Sequence, residues 1–122
     1  MKFDSLDKFG HFTVTTLYDS GLEKFYSLAN NKLKSPSTEN LRVALQKMTP
    51  KQIEIIKQLV LSVLNASIHD FLFAIQERNE LEGDIKILVD GKNVSDLSDG
   101  LNGELYSSDG WINKFSEFSK NI

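Results

Sequence analysis

The stretch TPKQIEIIKQLVLSVLNASIHDFLFAIQERN, Thr49 to Asn79, decides how this chain folds. Thr49 offers a capping hydroxyl, Pro50 needs no N–H in a first helical turn, and Gln52 stands where its side chain can return to the Thr49 N–H; together they start a helix at Pro50. From there Ile53, Ile56, Val60, Val63, Leu64, Phe71, Leu72 and Ile75 mark a stripe at helical spacing. Ile55, Leu59, Leu61, Ile68, Phe73 and Ala74 fill the other sides, and a helix apolar nearly all round belongs in the middle of a fold. Asn65, His69 and Asp70 interrupt its most apolar run, which makes it a poor bilayer span and a good buried helix. Unbroken to Asn79 it measures roughly 45 Å. Ser67 and Asp70 form a second capping box at which it could bend instead, and both readings stay open.

Upstream, Leu6, Phe9, Val14, Leu17, Tyr18, Leu22, Phe25 and Leu28 recur at three- and four-residue steps, predicting a helix over residues 5–30 capped by Asp4 or Ser5. Ser20-Gly21-Leu22-Glu23 reads as an internal capping box, so a kink or break is expected near Asp19. The loop NNKLKSPST ends in Pro36 and leads into a short helix over about residues 38–47. Downstream of Gly83 the period changes. IKILV followed by Asp90-Gly91 reads as a strand entering a turn, with a partner around Val94 or in the ELY segment. A final helix is expected with Ser108 as cap and Trp111, Ile112, Phe115 and Phe118 on one face.

The 122 residues fit a single domain, 1–122, and ordinary hydrophobic and charged fractions of 40% and 25% favour neither disorder nor a fibrous class. The expected fold is mainly α with some β (α+β): about four helices bundled around a central apolar helix, with a small β element near residues 85–106. Cysteine is absent, which removes disulfides, thiolate nucleophiles and sulfur-bound zinc. The N-terminal MKFDSLDKFGH has no apolar h-region, so a cytoplasmic protein is expected.

Charge is unevenly distributed. Residues 76–111 hold nine acids against three bases, a net of −6, and residues 30–57 hold six bases against two acids, a net of +4. Within VDGKNVSDLSDGLNGELYSSDGW, Asp90, Asp96, Asp99, Glu104 and Asp109 sit among four glycines. A calcium loop starting at Asp90 needs an oxygen ligand third, Gly sixth and Glu twelfth; the chain has Lys92, Ser95 and Leu101 there. A phosphate cradle fails on charge, because carboxylates repel the anion. The bland reading is a loop built from turn formers. The sharper one has the same turns present Asp90, Asp96, Asp99, Glu104 and Asp109 to a basic partner, with Tyr106 or Trp111 as the aromatic anchor.

His69-Asp70, with His11 before it, faintly resembles the metal-dependent phosphohydrolases that use a His, a His-Asp pair and a later Asp. Successive helical residues point about 100° apart, so the pair does not converge unaided, and no further His exists to complete a second metal. No G-x-S-x-G or H-E-x-x-H pattern supports nucleophilic or zinc-peptidase chemistry. The basic segment Lys32–Lys57 lacks interleaved aromatics, which argues against nucleic acid.

HDFLFAIQE followed by ILVDGKNVSDLSDGLNGELYSSDGWINKFS resembles a pattern in small bacterial proteins of unknown function. The likeness covers Ile68 to Ser116 and implies a bacterial, cytoplasmic, single-domain protein, with no activity attached.

The leading expectation is therefore a non-enzymatic binding protein of the immunity or antitoxin kind. It would neutralise a cognate effector with a basic surface, such as a nuclease toxin, through its acidic C-terminal surface, without cofactor or metal and without binding nucleic acid or membrane. The alternatives are a metal-dependent hydrolase using His69 and Asp70, and a homo-oligomeric regulatory protein, a homodimer for example, in which the third helix packs on its own copy.

Overall fold

The computed structural model describes residues 3–32 and 34–118. One helical rod opens the chain: α1 (Ser5–Thr13), a π-helical segment (Val14–Asp19) and α2 (Ser20–Ala29). Asp4 caps it, its Oδ1 accepting the Asp7 N–H at 2.8 Å. The expected break near Asp19 is a change of winding instead. Asp19 keeps helical angles of φ −66° and ψ −41° and makes no cap, so the Ser20–Glu23 capping box does not form. Its carboxylate is engaged elsewhere, accepting from Ser116 Oγ at 2.5 Å and from the Glu117 N–H at 3.0 Å. The wider π turn also explains why Leu17 faces solvent while Val14, Tyr18 and Leu22 enter the core.

A 3₁₀ turn (Pro36–Thr38) leads into α3 (Glu39–Gln46), and α4 then runs unbroken from Pro50 to Leu81. Its start is the box expected from sequence: Gln52 N–H donates to Thr49 Oγ1 at 3.2 Å, and Thr49 N–H to Gln52 Oε1 at 2.9 Å. The box at Ser67 and Asp70 is not used. At 32 residues the helix is about 48 Å long.

After α4 come β1 (Leu88–Val89) and β2 (Lys92–Asn93), antiparallel with Val89 opposite Lys92. Asp90 and Gly91 make the two-residue turn, both at positive φ (52° and 79°), as a hairpin twisting with its strands requires. The partner is the segment just before Val94; two 3₁₀ turns follow, Val94–Leu97 and Leu101–Leu105, and ELY forms the end of the second, with Tyr106 just beyond it. The closing helix, α5 (Trp111–Phe115), is shorter than expected and is preceded by Gly110 rather than capped by Ser108. A Cβ at Gly110 would lie 2.1 Å from the Tyr106 carbonyl oxygen, so the chain passes too close for any side chain there.

The core lies between the first rod, one side of α4 and the C-terminal turns: Phe9, Val14, Tyr18 and Leu22 meet Ile68, Leu72 and Ile75, with Val94, Leu101, Leu105 and Trp111 closing it. The architecture is thus mainly helical, with α4 central in its contacts and a small two-stranded sheet. The expectation that α4 is enclosed does not hold. Among the described residues it is the one helix long and apolar enough to cross a bilayer by length and composition, and only 17% of its most apolar window is buried.

Candidate functional site

Buried Gln76 on α4 sets the position of the acidic turns. Its Nε2 donates to the Ser95 carbonyl at 3.0 Å and its Oε1 accepts the Leu101 N–H at 3.0 Å, so one side chain holds both 3₁₀ turns. Nε2 also donates to Glu80 Oε1 at 2.9 Å. Two turns of helix earlier, His69 Nε2 lies 3.2 Å from Asn102 Nδ2 while Nδ1 lies 3.2 Å from Asp70 Oδ1. The Asn102 amide donates to the ring, which fixes the ring hydrogen on Nδ1.

Held this way, the second 3₁₀ turn faces Asp7 of α1 across a depression. Glu104 is the shared wall of two adjoining depressions. One, of about 550 Å³, also has Asp99 and Asn102 on its rim. The other, of about 310 Å³, has Asp7, Asp109, Tyr106 and Lys114. Burial pushes the Glu104 carboxyl above the usual carboxylate range; Asp7 adds to the rise, Lys114 opposes it, and Asp99 and Asp4 add further. Three acids thus act on Glu104 from around it. Lys114 is the base at its edge, with Nζ 3.2 Å from Asp7 Oδ1. Asp4 and Asp7 were invisible to a charge count over residues 76–111, because only the packing of α1 on α5 brings them there.

The other residues expected at the site divide. Tyr106 is exposed beside the cleft, its ring centroid 6.2 Å from that of His69, and burial and then Asp70 raise its phenol above the ordinary range. Asp90 lies apart, ion-paired to Lys8 at 2.6 Å. Asp96 sits at the end of α4, accepting from Asn79 Nδ2 at 3.2 Å. Trp111 is buried: it is 2% exposed, edge-to-face with Phe9 at 5.9 Å, and its indole lies where a Cβ on Gly10 would be, 2.4 Å away. Of the expected seven, Asp99, Glu104, Tyr106, Asp109 and the buried Trp111 line the two depressions together with Asp7, and Asp90 and Asp96 do not.

His11 is not near His69. It packs against Phe3 and Phe115, with centroids 5.4 Å away in both cases, and among the described residues no three His, Asp or Glu side chains are grouped to hold a metal ion. The geometry thus does not assemble the phosphohydrolase arrangement.

A third concavity, of about 710 Å³, is apolar. Phe9, Phe12 and Leu17 of the first rod, Phe71 of α4 and Ile87 and Leu88 of the hairpin line it. Compared with known proteins, the chain matches no family model, no curated sequence and no solved structure.

Proposed function

We infer that this chain is a small inhibitory binding protein of the immunity or antitoxin kind, acting in the bacterial cytoplasm on a cognate effector with a basic surface. The observation that carries the reading is the grouping of Asp7, Asp99, Glu104 and Asp109 around two adjoining depressions. Like charges held together destabilise the isolated protein, and a cationic partner relieves that cost on binding while gaining encounter rate. A nuclease surface is cationic because it must hold phosphate, so it suits such a cleft. Exposed Tyr106 supplies an aromatic anchor at the rim. Support from α4 through Gln76 and His69 keeps the acids in place before the partner arrives, which lowers the ordering cost of binding.

Growth rescue tests the reading. Cells expressing the product of the reading frame adjacent to this one should be arrested, and co-expression of the wild-type chain should restore growth. A chain carrying Asp99→Lys and Glu104→Lys should fail to do so while accumulating to the same level. Rescue by the charge-reversed chain would refute the site.

A further inference from the structure

We propose that a second copy of this chain covers the open face of α4, forming an antiparallel two-fold dimer centred on Val63. Ile55, Leu59, Val63, Ser67 and Phe71 follow one another at four-residue steps, the row of side chains that forms a ridge on a helix. Four of the five are large and apolar, and they stand 61%, 59%, 56% and 51% exposed for Ile55, Leu59, Val63 and Phe71. Every exposed position from Ile55 to Ser67 is uncharged: Gln58, Ser62 and Ala66 complete the set. Lys57, the one charge in that span, is half-buried with its Nζ 5.8 Å above the Tyr26 ring. Loss of charge at the centre of an apolar patch is the compositional mark of an interface.

The ridge fits its own copy. An antiparallel register about Val63 puts Leu59 of each copy opposite the small Ser67 of the other and brings Ile55 to the Phe71 end, beside the apolar groove. Aligned four-residue ridges cross at about −50°. Charge selects the direction. The first half of α4 carries Lys51 and Lys57 against Glu54, and the second carries Asp70, Glu77 and Glu80 against Arg78; antiparallel packing sets opposite ends together and parallel packing sets like against like. The area suffices as well. The four ridge residues and Phe12, Leu17 and Leu88 of the groove are each about half exposed, and at about 200 Å² per large side chain they leave roughly 700 Å² in water, close to the about 800 Å² a standard interface takes from each partner. The dimer does not depend on the acidic cleft, because the ridge points away from the side of α4 that carries His69 and Gln76.

Sedimentation equilibrium of the full chain from about 1 µM to about 1 mM should give twice the 13.8 kDa chain mass. Leu59→Lys and Val63→Lys should each halve it, with the helical circular dichroism unchanged. Cysteine scanning tests the direction, since the chain has no cysteine of its own. Oxidised Val63→Cys should be captured as a covalent dimer and Ile55→Cys should not. A single-chain mass throughout, a dimer indifferent to both lysines, or a dimer joined through Ile55→Cys would overturn the proposal. So would a monomer that co-sediments with phosphatidylcholine–phosphatidylglycerol vesicles, which would assign the ridge to a bilayer.

Discussion

The side-chain carbonyl of Gln76 accepts the backbone N–H of Leu101 at 3.0 Å across 25 residues of chain, while the same amide donates to the Ser95 carbonyl. A buried backbone N–H without a partner costs about 1–3 kcal/mol, and two 3₁₀ turns lean on this one residue. Gln76→Leu is therefore expected to lower stability by about 2–4 kcal/mol, read as a shift in the urea midpoint. A loss under half a kcal/mol would show that the turns hold themselves.

Gly10 and Trp111 make the matching contact at the other end of the site. A Cβ on Gly10 would stand 2.4–2.5 Å from the indole, and the helix backbone that bears it cannot withdraw. Overpacking of this kind costs about 1–3 kcal/mol. Gly10→Ala should lower the melting temperature and red-shift Trp111 fluorescence as α5 loosens. An unchanged emission maximum would contradict the docking.

How much of this could be read in advance follows from how local each signal is. The Thr49–Gln52 box and the Asp90-Gly91 turn were legible because three or four neighbouring residues determine them. The π-helical segment was not, since Asp19 is drawn away by Ser116 and Glu117, nearly the whole chain distant. Trp111 reads as an exposed anchor among acids until Gly10 is seen to leave room for it. The acidic stretch predicted an acidic surface but not its membership: Asp90 is taken by Lys8, and Asp7 arrives from α1. The open face of α4 was hidden by its own composition, because apolar residues on every side suggest enclosure.

Acid should affect the cleft in a defined direction. The folded Glu104 carboxyl titrates above its ordinary 4.5, so the native state holds the proton more tightly than the unfolded chain, and this group's contribution to stability falls as pH rises through that window. Glu104→Gln removes the charge and should be more stable than wild type at neutral pH. The difference should vanish below the ordinary carboxylate range and shrink in high salt. A gain that persists at low pH would mean that the effect is not electrostatic.

The Asp19 anchor gives a separate expectation. Asp19→Ala leaves the Glu117 N–H and the Ser116 hydroxyl without this acceptor, and a hydrogen bond to a charged group is worth about 1.5–3 kcal/mol. Amide exchange in α5 should rise by at least the corresponding factor of about ten, while exchange at the centre of α4 changes less. Equal acceleration everywhere would mean that α5 and the core open as one unit.

The most direct test of the binding account is calorimetric titration of the chain with the purified product of the adjacent reading frame, at low and high salt. The account predicts saturable binding that weakens at least tenfold for Asp99→Lys with Glu104→Lys and that declines with salt for the wild type, with Lys8→Ala, which frees Asp90 on another face, leaving affinity unchanged. Equal affinity for wild type and the double reversal, or no heat with a folded and active effector, would contradict it.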